Sequence, residues 1–450
     1  MARVRVVEGS CWPCKKRRTR CDLVKPVCQR CVKIGAKCDY NSRLIRWSSR
    51  PSVRHVPSPY QVPGLGQDGL IFSEKLALDY FHCRVWPLLQ TSESPCPPPL
   101  PVALEYRVVL LSACVLAGSH RLSQNGEVDR HRFNAKRLEC LTAIKSEVDG
   151  CCDGSRSGSL LVLLFAVLLL YLHDGFMDPN QEGSSTASHH RGVAAILSEL
   201  GEVDRVLVSA PESLQMLLSE FVSADLTTAL LHGKAPLYPP SIWHTVDQGA
   251  VWWARDPWNR QSIASVLREL SALAFYYSSI RDGSAHLSMD EVRAFEEVLR
   301  PAYASLAKHT DSEDKALVKR NIEAVHAFAL IRAFQHTGLI YLYRAICGLP
   351  ILHPLVQQHV RSCLDCILEI PRPNKVLNCA IFPLCVAGAH AHLREQQEVF
   401  LELLGFLYDN MRFASVRSVT RALESIWGSQ NLMATWAEMF FDLSHHVIVL

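Results

Sequence analysis

The sequence has no long apolar run, no recognisable catalytic signature and almost no strand pattern. Its most apolar stretch, Leu160 to Leu172 (LLVLLFAVLLLYL), is 13 residues long. That falls short of the ~20 a membrane-crossing helix needs. It reads as a fully buried core helix, and no spanning segment is expected elsewhere. The N-terminus, MARVRVVEGS, lacks the apolar core of about 7–15 residues that marks a secretory leader. An oxidising compartment, and with it a disulfide framework, is therefore set aside. The sequence contains no P-loop, no G-x-S-x-G elbow and no H-E-x-x-H pair. Paired aspartates of the kind all-α metal-dependent enzymes use are also missing, so no enzyme is expected. Residue-by-residue alternation of apolar and polar side chains is nearly absent, which argues against a sheet-based fold.

What is present is concentrated at the start. Cys11, Cys14, Cys21, Cys28, Cys31 and Cys38 read C-x2-C-x6-C-x6-C-x2-C-x6-C, one triplet repeated 17 residues later. Each half carries a C-x2-C step, the turn-sized spacing with which two thiolates grip one tetrahedral zinc. Six thiolates cannot give two zinc ions four separate ligands each, so two sulfurs must bridge, and the repeat suggests equivalent cysteines, one from each half. One zinc alone would leave two reactive thiols. Between Cys14 and Cys21 runs Lys15-Lys16-Arg17-Arg18-Thr19-Arg20. Residues 1–50 hold 14 Lys and Arg against 3 Asp and Glu, and the other 400 hold 33 against 41. The net charge of +3 thus hides a basic arm, suited to phosphate, on an acidic remainder. A metal-stapled module with a cationic face points to nucleic acid. A nuclear-import role for the basic run is compatible with that.

The segment Cys11 to Cys38 resembles the fungal binuclear zinc-cluster regulators. The likeness rests on the cysteine spacing, the basic run after the second cysteine, Asp22 after the third, and Pro26 in the loop. The resemblance implies two zinc ions per chain. It implies that Cys11 and Cys28 bridge, with Cys14 and Cys21 completing one metal site and Cys31 and Cys38 the other. It also implies that a basic side chain late in the first short helix reads a CGG-type triplet in the major groove. By position that is Arg18, with Arg17 beside it. The family more often has lysine there, and arginine can make a bidentate contact to guanine O6 and N7. Lys15, Lys16, Arg20, Lys33 and Lys37 are the other expected DNA contacts. The partners so implied are double-stranded DNA and the transcription machinery or co-regulators. The compartment is the nucleus, with transcription by RNA polymerase II. A secondary-metabolite gene cluster as target is an expectation at family level only.

The expected organisation is a zinc-cluster module over 8–41, a linker over 42–69 and an all-helical body over 70–450. The linker carries Pro51, Pro57, Pro59 and Pro63. It also contains Gly64-Leu65-Gly66-Gln67-Asp68-Gly69, which fits G-x-G-x-x-G but lacks the strand and βαβ frame of a dinucleotide site. Leu44, Ile45 and Trp47 precede prolines and make no heptad. Residues 1–70 are therefore expected to be monomeric, and any homodimer to form through the helical body. In that body Ser288-x-x-Glu291 reads as a capping box before Val292, Phe295, Val298 and Leu299. Ile263, Val266, Leu267, Leu270, Leu273, Ala274 and Tyr277 form an apolar stripe, and 315–347 a long helix stopped by Gly348 and Pro350. Roughly a dozen helices would fit. Phe72 to Phe81, His190 to Leu197, Phe382 to Arg394 and Ala422 to Trp427 resemble, in order, segments of the all-helical fungal transcription factor regulatory domain.

Three further sets are weighed as packing rather than chemistry. His359, Cys363 and Cys366 share one helix face, with Cys379 and Cys385 downstream; such a face is more often core than a metal site. His189-His190, His390-x-His392 and His445-His446 fit no metal frame. Trp252, Trp253 and Trp258, around Asp256-Pro257, read as a loop packed on the core rather than the floor of a ligand pocket. The leading function is a sequence-specific DNA-binding transcription regulator. The rivals are an interaction protein whose zinc cluster only scaffolds, and a ligand-sensing helical receptor with a DNA-binding tail.

Overall fold

The computed structural model describes residues 10–17, 19–38, 40, 71–91, 96–125, 130–151, 157–177, 186–201, 203–249, 253, 262–301, 315–443 and 447–449. Arg18, the linker with its glycine motif and short apolar cluster, Trp252, Trp258, Asp256, Pro257, His445 and His446 lie outside them. The chain divides into two units, Met1–Gly69 and Leu70–Leu450. The first has two one-turn helices, α1 (Trp12–Lys16) and α2 (Gln29–Lys33). Each carries the second cysteine of a C-x2-C step, so the sequence repeat is a structural repeat.

The second unit is all-α, with no strand among the described residues. It opens with α3 (Phe72–Tyr80), α4 (Leu100–Glu105), α5 (Arg107–Asn125), α6 (Arg130–Cys151) and α7 (Ser157–Met177). There follow α8 (Thr186–Leu200), α9 (Val203–Ser209), α10 (Glu212–His232), α11 (Ile242–Gly249), α12 (Ile263–Arg281) and α13 (Met289–Val298). It closes with α14 (Lys315–Tyr341), α15 (Pro354–Leu368), α16 (Ile381–Ala389), α17 (Arg394–Met411), α18 (Ala414–Ser429) and α19 (Trp436–Met439). More helices occur than the dozen expected, because several are only one or two turns long and too short to show a period.

Helix α7 is apolar all round, as a helix buried on every side must be. It packs on α5, α6, α8, α10 and α18. The helix runs beyond the 13-residue apolar stretch. Its Leu160–Met177 segment, and α10 with 21 residues, reach the length and composition of a membrane span. Yet 83% of each lies buried against the rest of the fold. The last described residues return to α7: the Ile448 N–H donates to the Gly175 carbonyl at 3.2 Å. One hydrophobic core therefore joins the first helices of the body to its C-terminal segment.

Local signals are realised with two changes. The Ser288 hydroxyl caps α13 by accepting from the Asp290 N–H at 3.3 Å. The reciprocal half of the box is replaced, since the Ser288 N–H donates to the Tyr276 hydroxyl at 2.9 Å. A complete capping box forms instead at Thr435 and Glu438. Val292 and Leu299 are buried as expected, while Val298 faces solvent. The α12 stripe points inward, with Val266, Leu267, Leu270, Leu273 and Ala274 buried. Helix α14 passes through a π-turn (Leu342–Ile346) and ends near Gly348, whose φ is 66°.

Gly233 ends α10 in the left-handed region, φ 62°. A Cβ there would lie 2.5 Å from the Tyr277 ring. Gly233→Ala should therefore cost about 1–3 kcal/mol. Gly405 lies within α17, where a Cβ meets nothing within 4 Å. Gly405→Ala should stabilise by up to about 1 kcal/mol. Urea denaturation of the two variants checks the opposite signs.

Candidate metal centre and nucleic-acid interface

The six N-terminal cysteines converge. Their sulfurs form two four-membered sets, Cys11, Cys14, Cys21, Cys28 and Cys11, Cys28, Cys31, Cys38, each lying within 4.8 Å. The two sets share Cys11 and Cys28. The resolved separations are 3.6 Å for Cys11–Cys28, 3.6 Å for Cys11–Cys31, 3.7 Å for Cys14–Cys28 and 3.9 Å for Cys21–Cys11. A tetrahedral zinc with Zn–S bonds of about 2.3 Å places neighbouring sulfurs about 3.8 Å apart. The sulfurs thus stand at the edge length of a metal tetrahedron, far beyond a disulfide bond of about 2.05 Å. The cysteines are positioned to hold metal, and the donor set suits zinc.

The surrounding backbone supports anionic sulfur. The Cys31 N–H donates to Cys28 Sγ at 3.3 Å, the Cys28 N–H to Cys38 Sγ at 3.4 Å, and the Leu23 N–H to Cys21 Sγ at 3.5 Å. Leu23 adopts φ 65°, an uncommon conformation for a branched side chain, and there its N–H meets the sulfur. Asp22 accepts from the Val24 N–H at 3.0 Å and from the Arg30 N–H, at the start of α2, at 3.3 Å. The acid after the third cysteine thereby ties the first half of the repeat to the second. Tyr40 completes the frame, donating to the Val24 carbonyl at 3.0 Å with its hydroxyl 3.6 Å from Cys21 Sγ. Burial pushes the Cys11 and Cys14 thiols up. At Cys28 burial also raises, but the Cys31 N–H and the neighbouring thiols outweigh it and bring the group down to about 6. Six adjacent thiols without a cation ionise only in part; a bound divalent metal deprotonates its ligands outright.

This sulfur cluster is also the unit's interior. Among the described residues Ser10, Cys11, Cys14, Cys21, Cys28 and Cys31 are buried, while Leu23, Val24, Val27, Val32 and Ile34 are exposed. Around it Lys16, Arg17, Arg20, Lys33 and Lys37 all reach solvent. Helix α1 carries Lys15 and Lys16, and α2 carries Lys33. Nothing is described of the Lys15 side chain or of Arg18. Lys25 and Arg30 are also exposed on this unit. They fall outside the basic run between Cys14 and Cys21, so sequence reasoning passed over them, as it did the support role of Tyr40.

The other candidate sets do not converge. His359 shares a hydrogen bond with His336 at 2.9 Å, and the Cys363 thiol turns to the Ala333 carbonyl and Thr337. His190 pairs with Asp225 at 2.9 Å, His390 bonds the Val386 carbonyl and His392 bonds Gln357. Trp253 is buried in the body core. Sequence reasoning missed a line from Ser119 through His173 to Asp174, each step 2.7 Å. It resembles a nucleophile–base–acid array, but Ser119 and His173 sit inside α5 and α7, whose backbone N–H groups are used within the helices. Arg137 takes the second Asp174 oxygen at 2.9 Å. The line pins α5, α6 and α7 together.

Because the buried interior of the N-terminal unit is almost all sulfur among the described residues, chelation should unfold residues 1–50 and leave the helical body intact. Amide resonances of residues 10–40 should collapse to random-coil positions on adding a chelator; retained dispersion would contradict this. Tyr40→Phe, which removes one hydrogen bond to Val24, should lower the unit's stability by about 1 kcal/mol, read as easier stripping of the metal.

Comparison with known proteins agrees with this geometry. Residues 76–450 match the fungal specific transcription factor domain, and residues 9–48 the fungal Zn(2)-Cys(6) binuclear cluster domain. A stretch of 63 residues, 14% of this chain, is 38% identical to the arginine metabolism regulation protein II of Saccharomyces cerevisiae, covering 7% of that protein. No solved structure matches the chain. The segments that look like closing elements of the regulatory domain pack together, since the Trp427 indole N–H donates to the Gly388 carbonyl at 2.9 Å. The chain belongs to the fungal transcription factors, joining a Zn(2)-Cys(6) binuclear cluster domain to a fungal specific transcription factor domain.

Proposed function

We propose that the protein regulates transcription in the nucleus by binding double-stranded DNA in a sequence-specific way. In this reading two zinc ions are held by six thiolates, and a CGG-type triplet is read from the major groove. The observation that carries it is the pair of four-sulfur sets sharing Cys11 and Cys28. Cys11 and Cys28 would be shared by the two ions, with Cys14 and Cys21 holding one and Cys31 and Cys38 the other. Zinc supplies cross-linking and charge neutralisation, and the chain's own residues supply recognition. Arg18 and Arg17 read bases, while Lys15, Lys16, Arg20, Lys33 and Lys37 hold phosphates. The helical body serves partner contact and regulation of RNA polymerase II transcription, with no catalytic step assigned to it. Control of a secondary-metabolite gene cluster is an extension of this reading at family level.

Self-association is assigned to the helical body. Its helix α3 exposes Phe72 (77%) and Leu76 (40%) beside a groove shared with α5 and α6. Sedimentation should show residues 1–70 as monomers and the full chain as dimers that weaken on Phe72→Asp. A micromolar dimer of the short fragment would refute the assignment.

Metal analysis should give two zinc ions per chain; one zinc with two free thiols would defeat the shared-sulfur arrangement. Arg18→Ala should cost about 1–3 kcal/mol on the preferred site and relax specificity at one base pair. Lys33→Ala and Lys37→Ala should weaken binding equally on all sequences and flatten its salt dependence. Equal loss on random and preferred DNA for Arg18→Ala would show that Arg18 is not a reader.

A further inference from the structure

The helical body holds a partly open cavity that the DNA-binding reading does not use. It lies between α10, α12 and α14 and measures about 50 Å³. Its two sides differ in chemistry. Helices α12 and α14 contribute an apolar wall, with Leu267, Ile331 and Phe334. Helix α10 contributes Glu220, Ser223 and Thr227, spaced so that all three share one face. Trp253, from the segment between α11 and α12, lines it as well.

Glu220 is the anomaly. It is 8% exposed, and no hydrogen bond or ion pair joins it to another described residue. No Lys, Arg or His is among the described residues lining the cavity, and Cys379 is the only other titratable group there. Burial alone pushes the Glu220 carboxyl up to about 8, so it is largely protonated at neutral pH. A buried acid without a partner opposes folding, and an apolar or amide side chain would serve packing better. A carboxyl held in a cavity with hydroxyls beside it and no counter-charge among the described lining residues is complementary to a cation from outside.

We propose that this cavity binds a small primary amine. Its ammonium group sits on the Glu220 carboxylate, with the Ser223 and Thr227 hydroxyls as further acceptors. Its short carbon body lies against Leu267, Ile331 and Phe334. The volume sets the size: a water needs about 10–15 Å³ of space of this kind, so about 50 Å³ takes roughly three or four non-hydrogen atoms, an ammonium group with two or three carbons. On binding, the Glu220 proton is released to solvent and the carboxylate–ammonium pair forms in its place. The amine stabilises the native body by mass action, tying α10 to α12 and α14. The site is independent of the zinc unit, so its failure would leave the DNA-binding reading untouched, and the reverse holds.

The probe is ethylammonium chloride on the full zinc-loaded chain, with sodium chloride at equal ionic strength and ethanol as references. Ethylammonium should raise the melting temperature of the helical body and change Trp253 fluorescence, and neither reference should do so. Glu220→Gln, which keeps shape and removes the ionisable acid, should weaken ethylammonium binding at least tenfold. Ser223→Val, which narrows the cavity but keeps the acid, should also abolish the shift and serves if Glu220→Gln does not fold. No response in the wild type, or an equal response in either folded variant, overturns the proposal.

Discussion

The N-terminal unit depends on one constraint, the convergence of six sulfurs at tetrahedral edge length. Among the described residues its large aliphatic side chains lie outside and its buried interior is chiefly cysteine, so hydrophobic burial contributes little to the shape. Everything else in the unit serves that cluster. Backbone N–H groups of Leu23, Cys28 and Cys31 point at sulfur, Asp22 laces the two halves, and Tyr40 closes the side of Cys21. Metal binding and folding are then one equilibrium. On this account the placement of the basic side chains, and the DNA reading proposed for them, requires bound metal.

The helical body follows the opposite rule. Its interior is a continuous hydrophobic core around α7, α10, α14 and α16. Polar groups within it are chiefly matched. Glu74 is buried between Arg107 at 2.6 Å and Lys136 at 3.0 Å, and both cations also reach Glu139. These bonds join α3, α5 and α6. Buried pairs of this kind add little net stability, but breaking one partner is costly. They fix which face of α3 lies on α5. Against this background Glu220 is unusual, being buried like Glu74 but unmatched by any cation among the described residues.

The zinc unit was legible in the sequence because coordination chemistry restricts spacing. A C-x2-C step repeated after 17 residues has few other uses, and the sulfurs fall where that reading requires. The helical class of the body was legible too, since the stripe from Ile263 to Tyr277 follows the helix period and its central residues are buried. Features fixed by distant residues were not legible. Ser288 meets Tyr276 rather than Glu291, because the two helices happen to cross there. The 13-residue apolar run understated α7, because polar residues near its C-terminal end, His173 and Asp174, are also buried by neighbouring elements. Tyr40 carries no spacing signal for its bond to Val24, and Glu220 looks in sequence like any acid on an amphipathic helix. The side chain of Arg18, on which base reading depends, lies outside the described residues.

The most direct measurement is selection of bound sequences from random duplex DNA by the full chain, run with zinc and again with a chelator. The account requires enrichment of a CGG-type triplet with zinc. If two fingers are joined to a dimeric body by proline-rich tethers, paired triplets should appear at several spacings. All enrichment should vanish with the chelator. Recovery of no preferred sequence with zinc, or the same enrichment after chelation, would contradict the claim that the sulfur cluster carries recognition.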